Sequence, residues 1–150
     1  MKHVEIKVIP FEAKYAEQTV IMWRDSKYGA IGQRELHSFE SHVNFLNHIL
    51  SKDFTVELAT VGEKVVGMIA YNRSQIDQLY IHNGYQNAGI GRKLLERAKV
   101  QSNGALTLFT FEVNEKAQRF YEKHGFVIIG RGSDNEENLP DIQYEWKEID

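Results

Sequence analysis

The residues that most clearly carry chemistry are Gln86-Asn87-Ala88-Gly89-Ile90-Gly91-Arg92. Ile76-Asp77-Gln78-Leu79-Tyr80-Ile81, just before them, reads as a strand. Just after them, Ile90, Leu94, Leu95 and Ala98 recur at helical spacing, so a helix begins at about Gly91. A glycine-bearing turn from strand to helix leaves backbone N–H groups unpaired, and the helix dipole adds roughly half a positive charge there. A phosphate settles at such a site, and glycine lets the backbone approach because no Cβ intervenes. The stretch reads as a pyrophosphate cradle.

Two familiar phosphate loops fail on residue identity. A dinucleotide loop needs a third glycine, and Leu94 stands where it belongs. Gly84 and Gly89 have the spacing of a nucleoside-triphosphate loop, but Ile90-Gly91 replace its Lys and Ser/Thr. What remains is Gln-x-x-Gly-x-Gly followed by Arg92. Without cysteine, and without a Gly-x-Ser-x-Gly elbow, the chain offers neither a thiolate nor an activated serine of that kind. A group transfer here is expected to run directly from donor to acceptor. The six histidines (3, 37, 42, 48, 82 and 124) form no His-x-x-x-His pair, so no metal site is expected.

These groups need a scaffold, and 150 residues suffice for one domain, residues 1–150, with its own core. Apolar residues make up 42% and charged residues 26%, ordinary for a globular protein. A net charge of −3 with mixed signs indicates neither a nucleic-acid nor a membrane partner. No apolar run approaches the ~20 residues of a membrane span, and the N-terminus lacks a signal-peptide core. A cytoplasmic location is expected.

Residues 2–9 alternate as a strand, with Val4, Ile6 and Val8 on one face and Pro10 at its end. A helix from Phe11 to about Tyr28 should break at Gly29 and Gly32, and Ser38 should cap a second, bearing Phe39, Val43, Leu46 and Leu50. Strands 54–61 and 64–71 flank Gly62-Glu63, a glycine-first hairpin signal. The helix after the cradle should stop at Asn103-Gly104, and strand 106–113 should run parallel to strand 76–81. Asn114 can then cap a helix on which Ala117, Phe120, Tyr121 and His124 share a face. Gly125 suits its left-handed end, with Phe126 folding back on Phe120 or Tyr121. Strands 126–131 and 142–147 close the chain around a polar loop, 132–141.

Gln-x-x-Gly-x-Gly resembles the acyl-CoA-binding motif of the GNAT superfamily of N-acyltransferases. Asn-x-x-Ala-x-x-Phe-Tyr-x-x-x-Gly-Phe at 114–126 is similar to that family's second hallmark, in the correct order and context. The resemblance covers the whole chain. It implies an α/β fold with a central mixed sheet of six to seven strands, about four flanking helices, and a splay between strands 76–82 and 105–113. It implies transfer of the acetyl group of acetyl-CoA to a primary amine. Leu79, Tyr80 and Ile81 would pair through their backbones with the pantetheine arm, as an added strand does. Gln86, Asn87, Ala88, Gly89, Ile90, Gly91 and Arg92 would hold the pyrophosphate. Asn114 would bond near the pantetheine or acyl end, Ala117 would contact the same cofactor, and Tyr121 would face the sulfur as the catalytic residue. Arg92, Lys93, Arg119 and Lys123 are candidates for the adenosine phosphates.

Each position has a plainer reading beside this one. Asn114 is also a helix cap, surface cations are usually solvated, and Tyr121 is otherwise a half-buried aromatic. Asp77, Glu112 and His82 are the candidates for a base by position. The acceptor cleft would lie between residues 24–42 and 131–141, where Asp134, Glu136 and Glu137 either favour a cationic amine or form a solvated turn. A non-catalytic acyl-CoA sensor and a peptide-binding module are the alternatives, and monomer and homodimer both remain open.

Overall fold

Alternation of apolar residues builds the strands, and helical spacing of apolar residues builds the helices between them. The structure, a computed structural model, describes residues 5–149. Lys2, His3 and Val4 of the expected first strand lie outside the described residues, and β1 is Lys7–Pro10. A 3₁₀ turn leads into α1 (Ala16–Ile31). α2 (Phe39–Phe45) runs through a π-helical stretch, Leu46–Leu50, into the single turn α3 (Ser51–Asp53). There follow β2 (Thr55–Val61), β3 (Lys64–Tyr71), β4 (Ile76–Ile81), α4 (Ile90–Gln101), β5 (Ala105–Phe111), α5 (Glu115–Lys123), β6 (Val127–Gly132) and β7 (Asp141–Lys147).

The ends of these elements follow local chemistry. Of the two glycines expected to break α1, Gly29 is carried inside the helix. Gly32 (φ 69°) ends it, its N–H donating to the Tyr28 carbonyl. Ser38 Oγ accepts from the Ser41 N–H at 3.1 Å as the N-cap of α2. At the end of α5, Gly125 takes φ 91° while the Phe126 N–H donates to the Tyr121 carbonyl. That pairing turns Phe126 back onto Tyr121, with ring centroids 5.4 Å apart.

Strands β1-β2-β3-β4 form one antiparallel sheet and β5-β7-β6 a second. The two halves of the mixed sheet part between β4 and β5, where the splay was expected. β4 and β5 do run parallel, but they meet only at the bridge Gln75↔Thr107, beside which the Thr107 N–H donates to the Ser74 carbonyl at 3.0 Å. β5 spends its other edge on a seven-residue register with β7. Two apolar clusters lie against the strands. One joins Leu94, Leu95 and Ala98 of α4 with Tyr121, Phe126, Ile142 and Tyr144. The other joins Val20 and Trp23 of α1 with Leu46, Leu50, Leu58 and Met68.

One buried charge fastens α4 over β2 and β3. Glu57 accepts from Arg97 Nε at 2.9 Å and from the Tyr71 hydroxyl at 2.7 Å. Burial pushes the Glu57 pKa up, but Arg97 and Tyr71 outweigh it and hold the carboxyl below its usual range. Among the described residues no helix is long and apolar enough to cross a membrane.

Candidate active site

Where β4 and β5 part, a cleft of about 310 Å³ opens. The end of α1, residues 76–80, residues 108–111, one face of α5 with its cap Asn114, and the β6–β7 loop bound it. The β4 backbone alternates, and that decides which of its groups face the gap. The His82 N–H donates to the Val66 carbonyl, and in the same register Tyr80 and Gln78 also bond toward β3. Leu79 and Ile81 therefore turn their N–H and C=O toward β5, although the Ile81 carbonyl already accepts from Ser26 Oγ at 2.9 Å. The Tyr80 side chain lies on the opposite face, stacked on Trp23 at 6.0 Å.

Tyr121 reaches the cleft from α5. It is 8% exposed, and its ring is flanked by Phe120 at 5.2 Å, Phe126 at 5.4 Å and Tyr144 at 6.1 Å. Burial, and then the neighbouring Tyr80, push the Tyr121 phenol above its ordinary value, so it stays protonated. Asn114 and Ala117 line the same cleft, and Asn114 Oδ1 caps α5 by accepting from the Ala117 N–H at 3.2 Å. Capping and facing the cleft are thus combined in one residue, since the cap uses the amide oxygen and among the described residues its NH₂ group has no hydrogen-bond partner.

Next to the cleft stands the run 86–92. Asn87 (φ 65°) and Gly89 (φ 81°) are both left-handed, and the Gly89 carbonyl accepts the first full-turn bond of α4, from the Lys93 N–H at 3.1 Å. Among the described residues the N–H groups of 86–89 make no backbone hydrogen bond. A chain of unpaired N–H groups ahead of a helix is an anion-binding concavity. The two glycines do different work. No atom lies within 4 Å of a Cβ built on Gly89, whereas one on Gly91 would stand 3.1 Å from the Phe120 ring. Gly91 lets α4 close on α5 and on the end of β4, since the same Cβ would stand 3.9 Å from Ile81, and Phe120 in turn packs on the cleft-lining Tyr121. Arg92, Arg119 and Lys123 are exposed near this end, while Lys93 Nζ donates to the Ile6 carbonyl at 2.9 Å.

A family model described as an acetyltransferase (GNAT) domain matches residues 52–128. Over 134 aligned residues the chain is 33% identical to a probable N-acetyltransferase of Mycobacterium tuberculosis, covering 79% of this chain and 75% of that protein. The chain belongs to the GNAT acetyltransferase family. The peptidyl-lysine N-acetyltransferase YjaB of Escherichia coli is 35% identical over 69 residues, 46% of each chain. The solution structure of apo YjaB superposes with a TM-score of 0.72 over 97% of this chain and 99% of that one, at 24% identity. An N-acetyltransferase of Thermoplasma acidophilum in complex with coenzyme A superposes with a TM-score of 0.73 over 95% and 99%, at 20% identity.

In this GNAT chain the three candidate bases separate. Asp77 lines the cleft, where burial raises its carboxyl against a hydrogen bond from Gln78 Nε2 at 3.1 Å. Glu112 lies on the surface 3.6 Å from Arg131, and His82 Nδ1 accepts from the Gly84 N–H. The acidic loop is divided: Asp134 and Glu136 are exposed and Glu137 is not. Glu137 pairs with Lys27 at 3.5 Å and is 12% exposed, and Glu136 pairs with His37 at 2.9 Å. Lys27 also pairs with Glu35 at 3.3 Å, which outweighs burial and holds that carboxyl below its usual range. Lys27, Glu35 and the buried Asp141 went unnamed in the sequence. Only their place in residues 24–42 and 131–141 hinted at them, because pairs across such separations carry no local pattern. Behind them His42 meets Trp23 edge-on at 4.2 Å, and burial lowers its pKa to about 4.

Proposed function

We propose that this chain transfers the acetyl group of acetyl-CoA directly to a primary amine bound in the β4–β5 cleft. The observation that carries the reading is the meeting of three features in one place: an unpaired strand edge, a run of unpaired N–H groups and a cleft-facing phenol. Acetyl-CoA supplies an activated thioester; everything else falls to this chain. The N–H groups of 86–92 hold the pyrophosphate, with Arg92, Arg119 and Lys123 favouring the remaining phosphate charge. Leu79 and Ile81 offer N–H groups, and Leu79 a carbonyl, to an extended amide-bearing arm. Tyr80 contributes its position on Trp23 rather than its backbone.

Asp77 takes the proton that the attacking amine must lose: it lines the cleft, and burial raises its carboxyl above the ordinary carboxylate value, which favours proton uptake. The N–C bond forms as the C–S bond breaks. Tyr121 donates a hydrogen bond to the departing sulfur. Full proton transfer from the phenol is uphill, because burial lifts it further above the ~8.5 of a thiol, so solvent protonates the released thiolate. Thermal denaturation with acetyl-CoA, NAD or ATP, paired with thiol release over an amine panel, tests the reading. At ~100 times its dissociation constant acetyl-CoA should add about 2.7 kcal/mol. Equal shifts from all three ligands and no thiol release on any amine would refute it.

A further inference from the structure

Four carboxylates line the cleft, those of Asp77, Asp134, Glu137 and Asp141, against a single cation, Lys27. That cation is committed. Lys27 bridges Glu35 and Glu137, and all three side chains are at least four-fifths buried. The triad keeps one negative charge of its own. Among the described residues Asp77, Asp134 and Asp141 have no cationic partner.

Asp141 is the group that points to a ligand. It is 8% exposed, yet its Oδ2 accepts only from the neutral Asn135 amide at 2.9 Å, and its Oδ1 has no hydrogen bond. Asn135 is itself locked by two bonds to the Leu139 backbone, at 2.7 and 3.1 Å, so the carboxylate is held in one orientation in the cleft wall. A carboxylate oxygen open to the cleft, with no hydrogen bond and no cationic partner, is a ready acceptor for a charge-assisted hydrogen bond from a cation that enters. The reacting nitrogen must be neutral to attack, so it cannot fill this role. A second ammonium can.

Resting on the acetyltransferase reading above, we infer that the acceptor is a linear diamine or polyamine. Its reacting nitrogen lies by Asp77 and Tyr121, and Asp141 with Asp134 holds its second ammonium. An amino acid would bring its carboxylate against an acidic wall. A simple monoamine would leave Asp141 unpaired.

Steady-state turnover of butane-1,4-diamine and butylamine, two amines with the same four-carbon chain, tests this. The diamine should show a kcat/KM at least about tenfold higher, the worth of one charge-assisted hydrogen bond. Asp141→Asn should cut that ratio about tenfold and Asp134→Asn by less, since Asp134 is exposed and screened. If Asp141→Asn fails to fold, Asp134→Asn carries the test. Equal kcat/KM values, or a ratio indifferent to the variants that fold, would overturn the inference while leaving an acetyltransferase. If neither amine is turned over, calorimetric titration of both in the presence of CoA decides: tighter diamine binding supports the cation site without the reaction, and equal or absent binding overturns it.

Discussion

Replacing Tyr121 by Phe removes one oxygen and leaves the ring in place among Phe120, Phe126 and Tyr144. Stability should therefore change by less than about 1 kcal/mol, or roughly 4 °C in melting temperature for a chain of this length. Turnover should respond far more. Burial makes the phenol a hydrogen-bond donor rather than a proton source, so the loss is that of one bond to a developing thiolate. Such a charge-assisted bond is worth ~1.5–3 kcal/mol, which predicts a fall in kcat of roughly 10- to 150-fold. The bond strengthens only as the sulfur departs, so the KM for acetyl-CoA should move little. Thiol-release kinetics on a confirmed amine, with a CoA titration and a melting curve on the same sample, measure all three. A kcat within twofold of the parent, with the melting temperature unmoved, would make Tyr121 a packing residue and refute the reasoning.

Two further outcomes follow from the cradle and the core. Gly89→Ala places a Cβ in open space at φ 81°, so it should cost about 1 kcal/mol of strain while weakening CoA binding in a titration. Gly91→Val instead presses on Phe120 and should cost ~1–3 kcal/mol in a denaturant melt; equal stability losses would mean that the two glycines had been wrongly separated. His42 has a folded pKa of about 4 against 6.5, so the unfolded chain binds its proton first as pH falls. Its stabilising effect is complete above pH 6.5 and should fall by about 3 kcal/mol by pH 4. His42→Leu should flatten that part of the stability profile, and an unaltered slope would sink the assignment.

Much of this protein is written locally. Helical and alternating periodicities, the Ser38 cap, the Gly62-Glu63 hairpin and the Gly125-Phe126 helix end depend on residues a few positions apart. So do the two motifs that mark the family, Gln86–Arg92 and Asn114–Phe126. Each of these is decided by backbone sterics and near-neighbour hydrogen bonds, which a linear sequence states directly. The strand order β5-β7-β6 is different, because there the last strand enters between two that precede it in the chain. The sequence alone could not tell that Gly91 serves contact with Phe120, nor that Tyr80 turns its backbone toward β3 and its ring toward Trp23. The charge pattern of the cleft was the least legible. Glu137 is spent on Lys27 and Glu136 on His37, across separations of about a hundred residues, while Asp141 is left without a cation. Which charge meets which is settled only when chain packing brings them within a few ångströms and takes their water away. The sequence holds the carboxylates, but only the tertiary structure decides which of them are available to a substrate.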